Sequence, residues 1–201
     1  YIILILVYIL EEYILSKNDH DLHIRDKYAD PSPYPEVKVT GRNPYYASLL
    51  IDDYAGLISE FTAISQYLYH HFFFEDIDKE LGKLLENVSI VEMHHMEILA
   101  DVIKKLGGNP IIRGTYSTCG NFWNGTFIDY GSGLCDRLKI DIDSEYKAIN
   151  EYNKHTRMID DPYIKAILQR IILDEKVHIK LFNEALLKFC GCSYKKLWTI
   201  F

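Results

Sequence analysis

The sequence predicts an all-α fold, an antiparallel four-helix bundle with a long crossover between its second and third helices. Two observations carry this. A helical segment is written twice, as Glu60-Phe61-Thr62-Ala63-Ile64-Ser65-Gln66-Tyr67 and as Glu145-Tyr146-Lys147-Ala148-Ile149-Asn150-Glu151-Tyr152. Each copy is followed by a Glu-x-x-His, first Glu92-Met93-His94-His95 and then Glu175-Lys176-Val177-His178. The separations agree, 32 positions from Glu60 to Glu92 and 30 from Glu145 to Glu175. A helix of roughly 20–30 residues can end, turn and be answered by an antiparallel partner over that distance.

Each element has its own signal. Residues 1–15 are apolar, unbroken from Tyr1 to Leu10 and then interrupted by Glu11 and Glu12. This run is too short to span a bilayer and carries no basic segment or cleavage site. It favours an extra helix and leaves membrane association open. Residues 18–43 are polar and broken by Pro31, Pro33 and Pro35, the pattern of a linker or an arm over the bundle.

The bundle itself is expected over 44–190, between an N-terminal segment and arm at 1–43 and a C-terminal tail at 191–201. Its first helix opens with Asn43 as N-cap and Pro44 at the first helical position and runs to about Phe74. Its second covers about Ile77 to Leu106 and stops at Gly107-Gly108, with Pro110 just beyond. The crossover occupies Pro110 to about Ile140 and holds Trp123 and Tyr130. The third helix is expected from Ser144 to Ile159, capped by Asp143 or Ser144, and the fourth from Asp161-Pro162 to Cys190-Gly191.

Composition sets outer limits. With 201 residues, 48% of them hydrophobic and 25% charged, the chain suits one domain with a sizeable core. A net charge of −7 gives no electrostatic basis for binding nucleic acid or anionic lipid. Cys119, Cys135, Cys190 and Cys192 form no Cys-x-x-Cys pair, which excludes a zinc ribbon. Disulfides are not implied, and a reducing, cytoplasmic compartment is the default.

Helical geometry turns the repeated motif into a metal site. Residues three apart share a face, with Cβ atoms about 5–6 Å from each other, so Glu92 with His95 and Glu175 with His178 can each reach one ion. Tyr67 and Tyr152 stand seven residues after Glu60 and Glu145 and fall on the same inward stripe. Four carboxylates on apolar stripes are costly to bury without cations, and four glutamates with two neutral imidazoles balance two divalent ions.

Over about residues 44–189 this pattern resembles the ferritin-like di-metal carboxylate superfamily of bacterioferritins, ferritins, rubrerythrins and manganese catalases. The resemblance implies Glu60 and His95 as end ligands of one metal, Glu145 and His178 of the other, and Glu92 and Glu175 bridging both. It implies that Tyr67 and Tyr152 hydrogen-bond ligand carboxylates or supply an electron. It also implies the crossover, because in such bundles the second and third helices run parallel.

Iron is favoured over manganese, both being suited to oxygen and imidazole ligands. The expected partners are dioxygen or hydrogen peroxide, an electron donor that the sequence does not name, and further copies of the chain in a homo-oligomer. The favoured reading is a di-iron protein that oxidises ferrous iron or removes peroxide. A dimanganese catalase is the second, although such enzymes are commonly longer. A metal-stabilised structural or coat protein without turnover is the third. A conventional rubrerythrin fits poorly, since Ala148 stands where those proteins carry a further glutamate. Met93 follows Glu92 as a haem-ligating methionine does in bacterioferritins, but an ordinary apolar contact is preferred over haem. His70, His71, His94 and His155 lack the paired spacing and are expected at the surface or an interface. Asp53, seven before Glu60, is expected on a metal entry path or at a polar bundle end.

Overall fold

Asn43 accepts hydrogen bonds from the backbone N–H groups of Tyr45 and Tyr46, and Pro44 follows it at the start of α1 (Pro44–Ala55). The computed structural model describes residues 27–194. Four more helices follow: α2 (Glu60–Glu75), α3 (Lys79–Lys105), α4 (Leu134–Met158) and α5 (Pro162–Cys190). The described residues contain no strand, only an isolated bridge between Arg113 and Phe122. The helices pack into a four-helix bundle in which α1 and α2 together form the first member. The apolar run at residues 1–15 and the end of the expected tail lie outside the described residues. No helix among the described residues is long and apolar enough to cross a membrane.

The first helix was expected unbroken to Phe74, and the structure interrupts it at residues 56–59. Gly56 is the cause. A Cβ there would lie 2.6 Å from both the Asp52 carbonyl oxygen and Ser117 Oγ, so the crossover can press against this point only where no side chain exists. The buried Asp52 carboxylate accepts hydrogen bonds from the N–H groups of Thr115 at 2.8 Å and Tyr116 at 2.9 Å. Ser59 then caps the new helix by accepting from Thr62 N–H. The interruption makes Glu60 the first residue of α2.

Helix α4 starts at Leu134 rather than at the expected Ser144. Ser144 does not cap: its hydroxyl donates to the Ile140 carbonyl at 3.0 Å, satisfying itself within the helix. The crossover is correspondingly shorter, from Leu106 to Gly133. At the other ends the sequence signals match the structure. Gly107 adopts φ +88° after α3, Gly191 φ +67° after α5, and Asp161 caps α5 ahead of Pro162.

The expectation of no disulfide also fails, because Cys135 and Cys190 are joined, with Cα atoms 5.9 Å apart. They stand at the start of α4 and the end of α5, antiparallel neighbours whose ends the fold brings level. The bond closes a loop of 55 residues, for which chain entropy gives about 4 kcal/mol of stability. Replacing both cysteines by serine is expected to lower the melting temperature by on the order of 10 °C, as is reduction of the wild type. Thermal unfolding with and without reductant measures this.

Two apolar clusters fill the bundle, one around Leu50, Leu99, Ile103, Leu168 and Ile171, the other around Leu85, Val88, Leu138, Ile142 and Phe182. The ionisable stripes lie between them.

Candidate metal centre

Four helices each contribute one glutamate to a buried cluster. Glu60 comes from the first turn of α2, Glu92 and His95 from the middle of α3, Glu145 from α4, and Glu175 and His178 from α5. All six side chains are buried, and the structure brings them together as two groups of four. Glu60, Glu92, His95 and Glu175 offer donor atoms within 4.8 Å of one another, and so do Glu92, Glu145, Glu175 and His178. Glu92 and Glu175 belong to both groups.

The distances show how the helical spacing works. His95 Nδ1 lies 2.7 Å from Glu92 Oε2, 3.5 Å from Glu175 Oε1 and 3.7 Å from Glu60 Oε2. His178 Nδ1 lies 3.0 Å from both Glu92 Oε1 and Glu175 Oε2, and 3.4 Å from Glu145 Oε1. The tyrosines cross between halves. Tyr67 donates to Glu145 Oε1 at 2.6 Å, and Tyr152 donates to Glu60 Oε1. Each therefore steadies the carboxylate of the other copy of the repeat.

Burial and crowding redistribute protons within this cluster. Burial, reinforced by the Glu92 charge, raises Glu60 and Glu175 well above the usual carboxylate range, and the same pair of causes brings Glu145 to about 7. Glu92 goes the other way: burial opposes its ionisation, but His178 and His95 outweigh that and hold it at about 2. Burial also opposes protonation of His95 and His178, yet the facing carboxylates raise both well above the ordinary imidazole value.

The donor set fits a pair of cations. Glu92 Oε1 is buried and accepts no hydrogen bond among the described residues, although His178 Nδ1 lies 3.0 Å away. A lone pair left over among four buried carboxylates is what a metal ion uses. Glutamate oxygen with imidazole nitrogen suits iron or manganese rather than thiolate-seeking metals.

Between α2 and α4 lies a cavity of about 460 Å³, lined by Glu60, Glu92, Glu145 and Glu175 of the cluster, by Tyr67 and Tyr152, and by Lys147, Glu151 and residues 126–129 of the crossover. Asp53 lines this cavity but is engaged, its Oδ2 lying 2.7 Å from His155 Nδ1.

Three of the four histidines named as lacking the Glu-x-x-His spacing are not at the surface. His70, His71 and His155 are buried. His70 Nδ1 faces both Asp141 oxygens, at 2.8 and 2.9 Å, and its Nε2 lies 3.1 Å from the Asp129 carbonyl of the crossover. His71 Nδ1 bonds the Gly82 carbonyl at 2.8 Å. His94 is partly exposed and pairs with Glu97 at 3.8 Å. Burial raises Asp141 and Asp53 while their histidine partners pull them down. A signal for these pairs was present: the repeat extends three residues further, Glu60, Tyr67 and His70 matching Glu145, Tyr152 and His155. Asp174 was missed as well. Its Oδ2 lies 2.9 Å from His95 Nε2, and it directly precedes Glu175 in the chain.

The ferritin-like domain family matches residues 56–189. A probable manganese catalase from Clostridium acetobutylicum is 28% identical over 171 residues, covering 76% of this chain and 75% of that protein. A bacterioferritin from Desulfovibrio desulfuricans is 30% identical over 129 residues, covering 62% and 66%. In fold, the chain resembles KatB, a manganese catalase from Anabaena, with a TM-score of 0.72 at 21% identity over 87% of this chain and 85% of the other.

Proposed function

The chain belongs to the ferritin-like domain family, and from that premise we propose that it is a dinuclear-metal oxidoreductase that disproportionates hydrogen peroxide at a manganese pair. Glu60 and His95 would hold one ion and Glu145 and His178 the other, with Glu92 and Glu175 available to both. The observation that carries this reading is the pair of four-donor groups sharing Glu92 and Glu175. Two such ions, when bound, supply a two-electron couple, which matches the conversion of two peroxide molecules into dioxygen and two waters.

The remaining work falls to the chain's own residues. Tyr67 and Tyr152 fix the end carboxyl groups across the pseudo-symmetric halves through the hydrogen bonds they donate. Both tyrosines also line the cavity. The cavity suits a small neutral substrate. Glu60, Glu92, Glu145 and Glu175 line it, and bound ions would balance their charge.

Manganese takes precedence over the iron that the sequence alone favours because of how far the likeness reaches. It covers 76% of the chain in the C. acetobutylicum relative and only 62% in the bacterioferritin. The higher identity of the bacterioferritin stretch favours the second reading, oxidation of ferrous iron by dioxygen. Metal analysis of protein from its native host, followed by oxygen evolution from peroxide on the same sample, separates them. About two manganese per chain with oxygen release is expected. About two iron with ferrous oxidation and no oxygen release moves the assignment to the second reading, and no bound metal defeats both.

A further inference from the structure

The two halves of the centre are built differently behind their histidines. On one side, His95 Nε2 lies 2.9 Å from Asp174 Oδ2. Asp174 is itself clamped: Arg170 Nη1 donates to its Oδ1 at 2.6 Å, the Asp30 N–H donates to the same oxygen at 2.7 Å, and the Tyr34 hydroxyl donates to Oδ2. On the other side, His178 Nε2 is buried with no hydrogen-bond partner among the described residues. The repeat shows why. Asp174 immediately precedes Glu175 and serves the histidine of the other motif, whereas the position immediately before Glu92 is Val91, a buried apolar residue.

An imidazole whose outer N–H donates to a carboxylate is fixed in ring angle and tautomer. Its inner nitrogen is left as the ligand and made more basic. An imidazole lacking that partner has neither advantage and keeps a buried donor unsatisfied. We propose that Asp174 is a positioning residue that makes the half containing His95 the stronger metal subsite, while Val91 leaves the half containing His178 the weaker. The two ions therefore occupy the centre in a fixed order. The same contacts tie occupancy to the arm, since Arg170 also donates to the carbonyls of Ser32 and Asp30 and stacks over the Tyr34 ring. This ranking rests on the dinuclear reading above.

Calorimetric titration of Mn²⁺ into the metal-free full chain, with bound ions counted by electron paramagnetic resonance, tests it. Wild type is expected to bind in two steps. Asp174→Asn is expected to weaken the tighter step by roughly 10- to 100-fold while changing the weaker step little, the usual consequence of removing a histidine's outer partner. Val91→Asp is expected to tighten the weaker step and narrow the gap. Tyr34→Phe, which leaves Asp174 in place, acts on the same step as Asp174→Asn but by less, and keeps the test open should Asp174→Asn fail to fold. Equal weakening of both steps in the Asp174 and Tyr34 variants would reduce Asp174 to a support for the arm and overturn the proposal. No change in either step, or a Val91→Asp protein that folds but binds as wild type does, overturns it too. A wild type that takes up neither Mn²⁺ nor Fe²⁺ defeats the dinuclear reading itself.

Discussion

Glu92→Ala is expected to abolish retention of both metal ions, whereas Glu60→Ala releases chiefly one. Glu92 belongs to both donor groups, with Oε2 2.7 Å from His95 Nδ1 and Oε1 3.0 Å from His178 Nδ1; Glu60 belongs to one group only. Removing the shared carboxylate takes a ligand and a compensating charge from both ions at once. The loss of affinity should exceed the roughly 10- to 100-fold cost of deleting an outer partner. Metal per chain after dialysis, by mass spectrometry, reads the difference directly. The metal-free proteins should also diverge. Glu92 is the carboxylate held ionised between two protonated histidines, so deleting it leaves buried cations with less compensation, at roughly 3–5 kcal/mol. That corresponds to a melting temperature lower by on the order of 10 °C. Glu60, which burial and Glu92 keep largely protonated, can be removed at far lower cost. Equal metal loss and equal melting shifts in the two variants would exclude a bridging role for Glu92.

The convergence of the six donor side chains was legible because it depends only on helical spacing, and a Glu-x-x-His shares one face of a helix wherever that helix packs. Helix ends were legible where a cap is local: Asn43-Pro44, Asp161-Pro162 and Gly107 each act on backbone groups within a few residues. What escaped depends on partners distant in the chain. The interruption at Gly56 exists because the crossover presses Ser117 against it, an encounter that the helix sequence does not encode. The start of α4 was misplaced because Asp143 and Ser144 are good caps that here lie inside a helix. The bond between Cys135 and Cys190 needs two helix ends brought level by tertiary packing. His70 and His155 were set aside for lacking a Glu three residues before them, although each stands three residues after a repeat tyrosine. Their partners, Asp141 and Asp53, lie on other helices. Asp174 was obscured by adjacency to Glu175, since consecutive residues on a helix point about 100° apart and only the assembled bundle shows where the second one lands.

The metal-free protein is expected to melt highest in mild acid and to lose stability toward pH 8, and saturating Mn²⁺ should reverse that trend. Glu145 carries a folded-state value of about 7 against an ordinary 4.5. Between those values the folded chain keeps a proton that the unfolded chain releases, so stability falls as pH rises through that window, by on the order of 3 kcal/mol. Glu60 and Glu175, raised well above 4.5, act in the same direction over a window that extends higher. His95 and His178 are raised well above 6.5. Their contribution is complete below about 6.5 and is lost as pH climbs toward their folded values, again weakening the metal-free fold in alkali. Glu92 opposes this, and so does Asp174, whose burial opposes ionisation but which His95, Tyr34 and Arg170 hold well below the usual carboxylate range. Held at about 2, Glu92 stabilises the fold above 4.5 and loses that contribution as pH falls toward 2, and the two carboxylates together limit stability in acid. Because these groups share one set of protons, they titrate as a unit. Metal ions take the place of those protons and need the carboxylates ionised and the inner imidazole nitrogens bare, so affinity climbs over the same interval in which the metal-free fold weakens. The stabilisation that Mn²⁺ confers, which grows with the ratio of free ion to Kd, must therefore increase from pH 5 to pH 8. Melting curves across that range in chelator and in excess Mn²⁺ should diverge steadily. Parallel curves would mean that the buried cluster exchanges no protons for metal.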